Sequence, residues 1–143
     1  MMERKITLAI DSNLENVPLV AATINKLCSF IRLSDLASYQ IEVCVVEAVN
    51  NAIKHAYRNE GGHEVEVVIT LHQNKLIVDI CDQGRTMKQE SKTFLDFDPS
   101  DLKNLPEGGM GLFIINSIMD ELNYRTCRGK NTLTMTKFVS VET

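Results

Sequence analysis

In "VEAVNNAIKHAYRN", residues 46–59, a carboxylate and an amide, Glu47 and Asn51, stand four positions apart in a run that otherwise reads as an amphipathic helix. That spacing puts one above the other on a single face, about 6 Å apart along the axis. The neighbouring pair Asn50 and Asn51 suits a helix poorly, since Asn is roughly 0.5 kcal/mol per residue worse than Ala. A merely wet face is normally filled with Glu, Lys, Gln or Arg. Asparagine there points to an amide wanted for its geometry. Its oxygen is a neutral, hard ligand suited to Mg²⁺, which takes few protein ligands and leaves the rest to water and phosphates. A carboxylate one turn away can take a proton from a hydroxyl or water attacking a γ-phosphate. The chemistry these two residues suggest is phosphoryl transfer.

Two further stretches extend that reading. "CDQG" places Asp82 where a buried strand meets irregular chain, with Gly84 just beyond. A carboxylate there can accept a hydrogen bond from an exocyclic amine such as that of adenine, and a glycine lets backbone approach closely. "EGGMGLFI" sets Gly108, Gly109 and Gly111 ahead of a helix, where unpaired N–H groups and the helix dipole favour a phosphate. An Asp-x-Gly alone is usually a turn, and a Gly-x-Gly alone says little. Their order and spacing behind the asparagine helix are far more specific.

The elements that must position these residues follow from hydrophobic period. "KITLAI" alternates, with Ile6, Leu8 and Ile10 on one face of a half-buried strand. Leu19, Val20, Ile24, Leu27 and Ile31 recur at helical spacing behind Pro18, which suits a first turn. Ser34 or Asp35 can cap a second helix running to about Arg58, where "NEGGH" breaks it. Its inner side carries Ile41, Val45, Val49, Ala52, Ile53 and Ala56; the other side carries Glu47, Asn50, Asn51, Lys54, His55 and Arg58. "EVEVVITLH" and "KLIVDICD", separated by "QN", read as an antiparallel hairpin with Val65, Val67, Ile69, Leu71, Leu76, Val78 and Ile80 inward. Residues 83–107 lose all periodicity, and a loop of that length is usually functional. A glycine-opened helix with Leu112, Ile115 and Ile118 or Met119 inward follows, then a hairpin turning at "RGKN". The expected fold is α+β, a two-layer α/β sandwich with a mixed, mostly antiparallel sheet and three helices on one face.

The 143 residues are the size of one domain, taken as spanning 1–143. Fifteen Lys and Arg stand against 19 Asp and Glu, a net charge of -4, with no basic block. A nucleic-acid partner is therefore not expected. Cys28, Cys44, Cys81 and Cys127 lie far apart, without zinc-ligand spacing; reduced, packed thiols are expected. No stretch approaches the roughly 20 apolar residues of a membrane span, and nothing at the start reads as a signal peptide. A soluble, cytoplasmic protein without a membrane partner is expected.

The stretch "EAVNNAIKHAY" resembles the N box of the ATPases that include gyrase, heat-shock chaperone, histidine-kinase and mismatch-repair domains; "DQG" resembles their first glycine box and "GGMGL" the second. Within that superfamily the chain is most similar to the bacterial anti-sigma factor serine kinases, over nearly its whole length. The resemblance implies a Bergerat-type ATP-binding fold with ATP and Mg²⁺ as ligands. It implies Asn51 as the Mg²⁺ ligand, Glu47 as general base and Asp82 as the adenine-binding carboxylate. Gly84 would line the base pocket; Gly109 and Gly111, with Met110 and Leu112 beside them, would support the phosphates. Thr132 would help hold Asp82 or a water beside adenine. His55 matches a position near the N box, either in contact with the nucleotide or packing on the helix face. The chain departs from many relatives in having Thr86 where a second glycine stands, and "PEGG" offers no cation for the γ-phosphate. Lys54, Arg85, Lys88, Lys92 and Lys103 are the candidates, and 85–107 would form a lid. The function implied is an ATP-dependent anti-sigma factor that sequesters a sigma factor and phosphorylates a serine of a STAS-type anti-anti-sigma partner, acting as a homodimer. A non-catalytic ATP-dependent binding module is the alternative.

Overall fold

The computed structural model describes residues 3–87 and 110–140. Among them, five strands form one sheet in the order β1-β2-β3-β5-β4: β1 Arg4–Asp11, β2 Glu64–Leu71, β3 Lys75–Asp82, β4 Glu121–Cys127 and β5 Lys130–Phe138. Every pairing is antiparallel, so the sheet, expected to be mixed and mostly antiparallel, is uniform. Three α-helices, α1 Val17–Phe30, α2 Asp35–Asn51 and α3 Met110–Ile118, cover one face.

Turn chemistry sets the connections. Gln73 and Asn74 link β2 to β3, closed by the His72 N–H donating to the Lys75 carbonyl at 2.9 Å. Arg128 and Gly129, with φ of 53° and 79°, join β4 to β5; positive φ at both central residues is the turn whose twist matches a hairpin. Asn13 caps a short 3-10 turn that leads into α1, and Pro18 occupies its first turn. At the other end, Leu33 N–H bonds the Cys28 carbonyl and Arg32 N–H that of Ser29, both at 3.0 Å, while Arg32 takes a left-handed φ of 63°. This Schellman pairing satisfies the last carbonyls and turns the chain. Ser34 then caps α2, its hydroxyl accepting from Ala37 N–H at 3.1 Å, and Asp35 in the first turn favours the dipole.

The inward residues expected of the β2–β3 hairpin are all buried, as are Ile41, Val45, Val49, Ala52 and Ile53 of the second helix and Leu112, Ile115 and Met119 at α3. The α1 stripe is shifted from the expected one: Val17, Val20, Ile24, Cys28 and Ile31 are buried, whereas Leu19 is 64% exposed. Cys28, Cys44 and Cys81 are buried free thiols, while Cys127 is exposed. Burial, aided by Glu42, pushes Cys28 up to about 11; burial likewise pushes Cys44 up to about 12, so neither supplies a thiolate. No helix among the described residues is long and apolar enough to cross a membrane.

The second helix does not run uniformly to Arg58. After Asn51 its last turn widens into a π-turn, Ala52–Ala56, with Tyr57 N–H reaching back to the Ala52 carbonyl at 3.1 Å. Left-handed Arg58 and Asn59 then end it. Such one-turn π segments recur at functional sites, and this one begins immediately after the asparagine singled out above.

Candidate nucleotide site

Helix α3 packs against α2 with its first turn over Glu47 and Asn51. A methyl group on Gly111 would lie 2.8 Å from Glu47 Oε2, 3.4 Å from Asn51 Nδ2 and 3.6 Å from Asn51 Oδ1. The two side chains predicted to act together therefore converge on one spot, and glycine is what leaves that spot open. Gly111 lies inside the first turn of α3 rather than ahead of it. Leu112 is buried in the core, so its side chain serves packing. Glu47 and Asn51 are both half-buried. Hard oxygen donors beside the first turn of a helix fit a magnesium-bound polyphosphate, which needs only one or two protein ligands. Gly108 and Gly109 lie outside the described residues, as do Lys88, Lys92, Lys103 and the lid segment beyond Met87.

The other end of the site is built at the tip of β3. Asp82, 9% exposed, follows Leu76, Val78 and Ile80 on the helix-facing side of the strand. Its Oδ1 accepts from Gly84 N–H at 3.0 Å and from Asn131 Nδ2 at 2.8 Å. Burial raises its pKa above the ordinary carboxyl value, and the bonds from Asn131 and Gly84 pull it back down.

Gly84 is required by contact with the π-turn and Tyr57 rather than by the left-handed backbone region. A methyl group there would sit 2.4 Å from the Ala56 carbonyl oxygen, 2.6 Å from its carbon and 2.9 Å from Tyr57 Cδ1. Arg85 N–H donates to that same carbonyl at 2.9 Å, and Arg85 Nη2 donates to the His55 carbonyl at 3.1 Å. The Tyr57 hydroxyl adds a third tie, accepting from Gln83 N–H and donating to the Glu64 carbonyl, both at 2.7 Å. Thus the π-turn is where the asparagine helix and the Asp82 turn are fastened together. His55 contributes its backbone, its side chain being exposed. Arg85, one candidate for the γ-phosphate, is spent on this fastening; Lys54 is exposed.

One expectation is corrected. Thr132 does not hold Asp82: in the β3–β5 register it stands opposite Cys81, and its hydroxyl bonds that sulfur at 3.7 Å. Asn131 stands opposite Asp82. Successive strand residues point to opposite faces, so a one-residue difference moves the side chain across the sheet. Sequence reasoning missed Asn131; the signal available was its register, counted from the "RG" turn.

A cavity of about 340 Å³ opens beside the same strand tip, lined among others by Tyr57, His63, Glu66, Cys81 and Lys130. It shares Asp82 but includes neither Glu47 nor Asn51. Residues Glu66, Cys81 and Lys130 belong to the uncovered face of the sheet, so this cavity is not the cleft between α2 and α3 where the convergent groups lie.

With this geometry in place, comparison with known proteins defines the class: the chain matches the histidine kinase-like ATPase domain over residues 10–137 and belongs to that family. It is similar to the serine-protein kinase RsbW of Listeria monocytogenes, 29% identical over 97% of this chain and 90% of that protein. It is similar also to the serine-protein kinase RsbW of Bacillus cereus, 28% identical over 99% and 91%. Among solved structures it shares its fold with the SiaB–SiaC complex of Pseudomonas aeruginosa, with a TM-score of 0.65, 12% identity and coverage of 92% and 88%. It also shares that fold with the RsbU and RsbW domains of a Mycobacterium tuberculosis protein, with a TM-score of 0.65, 15% identity and coverage of 94% and 32%.

Proposed function

We propose that this protein is an ATP-dependent serine-protein kinase and anti-sigma factor, which holds a sigma factor away from polymerase and phosphorylates a serine of a STAS-type anti-anti-sigma partner. The observation that carries the catalytic part is the convergence of Glu47 and Asn51 on the open backbone of Gly111. The near full-length likeness to proteins named serine-protein kinases supports the choice of acceptor.

Asn51 Oδ1 would hold Mg²⁺, which neutralises charge on the β- and γ-phosphates. The phosphates would lie against the first turn of α3, where Met110 and Gly111 present backbone, with Gly109 proposed to support them, and the base would reach Asp82, whose carboxylate would accept from the adenine amino group. Glu47 takes the proton from the substrate serine as its oxygen bonds to the γ-phosphorus and the bond to the leaving ADP breaks. The whole chain, 1–143, acts as one cytoplasmic domain whose segment 85–107 covers the nucleotide. The sheet edge formed by β1 is a natural surface for a homodimer.

The decisive experiment incubates the protein with labelled ATP, Mg²⁺ and a candidate STAS-type partner protein. Phosphoserine on that partner, abolished by Glu47→Gln with ATP binding retained, is the expected result. Asn51→Ala should instead lose the magnesium-dependent part of ATP affinity. ATP binding without any transfer would leave a binding module; equal loss of ATP affinity in both variants would overturn the separate roles.

A further inference from the structure

Asn131 is 1% exposed and uses its whole hydrogen-bonding capacity. Its Nδ2 donates to Asp82 Oδ1 at 2.8 Å and to the Gly84 carbonyl at 3.1 Å. Its Oδ1 accepts from the Thr126 hydroxyl at 2.8 Å and the Thr86 hydroxyl at 3.1 Å. The amide has one workable orientation: reversed, its oxygen would face a carboxylate and a carbonyl, both acceptors. A buried network so completely satisfied is rigid.

The consequence falls on Asp82. Both bonds to its carboxylate land on Oδ1, from Asn131 and from Gly84. Oδ2 has no hydrogen-bond partner among the described residues, which makes it the carboxylate oxygen to offer a ligand. We propose that Asn131 is a positioning residue that makes Asp82 a one-sided, acceptor-only reader of the purine edge, so that selection of an amino-bearing base over an oxo-bearing one depends on this amide. The inference rests on the nucleotide site proposed above and adds to it the residue that sets its base selectivity.

The neighbouring charges leave that role to Asn131. The Tyr57 and Tyr124 hydroxyls are pushed above the ordinary phenol range by burial, so both stay neutral across the working pH range. Lys130, at the start of β5, is paired with Glu66 at 3.5 Å. The Asn131 bond is also the largest of the influences that hold the Asp82 carboxyl down against burial. Without it the carboxyl takes up a proton at higher pH and ceases to be a pure acceptor.

The test measures binding of ATP and ITP, which differ by amino against oxo at that ring position, with Mg²⁺ and the full chain. Native protein should prefer ATP by roughly a hundredfold or more, because a site built to pair one group leaves its own atoms unpaired against the other. Asn131→Ala should cut that preference about tenfold or more, consistent with the loss of one charge-assisted hydrogen bond. The acid limb of its ATP affinity should also move to higher pH. Thr126→Val, which unlocks the amide while keeping it, should show the same changes in smaller measure and carries the test if Asn131→Ala does not fold. An ATP-to-ITP ratio and acid limb equal to native in the folded variants, with both nucleotides weakened alike, would overturn the role of Asn131 alone. Native protein that ignores ATP would overturn the nucleotide site itself, and this inference with it.

Discussion

The two ends of the proposed nucleotide site are held in opposite ways. At the base end, Asp82 is buried, fixed through one oxygen by two donors and backed by Asn131, Gly84 and the Tyr57 hydroxyl. At the phosphate end, Glu47 and Asn51 have no side-chain hydrogen bond to another described residue; helix packing brings them together, and only the missing side chain of Gly111 keeps their meeting point clear. A recognition end gains from being rigid before the ligand arrives, since no ordering cost then falls on binding. A group that must release a ligand and move a proton is better left without strong partners of its own. Substitutions at the base end should therefore register in affinity and stability, and substitution of Glu47 at the phosphate end in rate.

The largest effect should come from the phosphate end. Glu47→Gln keeps size and polarity but cannot accept a proton, so transfer to the partner serine should fall about 10²–10⁴-fold while ATP affinity stays near native. Single-turnover phosphorylation beside calorimetric ATP binding reads both. A parallel loss of affinity would mean that Glu47 binds rather than abstracts, and the contrast between the ends would collapse.

Next is Gly84→Ala. The added methyl meets the Ala56 carbonyl at 2.4 Å, a backbone group inside the π-turn that has no rotamer to escape into. Overpacking of this kind costs about 1–3 kcal/mol, read as a lowered urea midpoint together with weakened ATP binding. Gly111→Ala looks similar in sequence and should behave differently, because the clash at 2.8 Å is with the far end of a flexible glutamate. Ala in the first turn of a helix is better than Gly by up to about 1 kcal/mol, so the fold should hold or gain. Transfer should nonetheless drop by roughly tenfold, since a displaced base loses its geometry. If Gly111→Ala lost stability as Gly84→Ala does, the two glycines would share one structural role.

Much of this was legible from residue order, for reasons that differ by region. The β2–β3 hairpin alternates so regularly, between Val65 and Ile80, that its buried face could be assigned by period alone. Glu47 and Asn51 could be paired because helical spacing over one turn tolerates little error. The π-turn after Asn51 could not be foreseen: Ala52–Ala56 carries apolar positions that an α-helix would also bury, and the turn is met by Gly84 at the Ala56 carbonyl, a contact between distant segments that period does not encode. The family resemblance points to Thr132, whereas the partner of Asp82 is decided by pairing register, which period 2 makes unforgiving of a single step. The α1 stripe was misplaced for a related reason: Leu19 is as apolar as Val17 or Val20 and sits one step round the helix from the sheet-facing side.

The smallest and most diagnostic prediction concerns the cost of the rigid end. Burial raises the Asp82 pKa in the folded protein above its ordinary value. The folded state thus holds that proton more tightly than the unfolded chain does. The stability this supplies is present below the unfolded carboxyl pKa and lost as pH rises through the folded value. At neutral pH, then, unliganded protein carries a buried charge that Asp82→Asn would remove. The variant keeps an oxygen to accept from Asn131 and Gly84 and should be more stable, by on the order of 1 kcal/mol or less, with the gain shrinking as pH falls and the native carboxyl becomes neutral. The same variant should bind ATP poorly, because it offers an amide N–H to an amino group that needs an acceptor. Urea midpoints for both proteins at neutral and mildly acidic pH decide it: a gap that does not narrow in acid would mean that Asp82 is strained by packing rather than by charge.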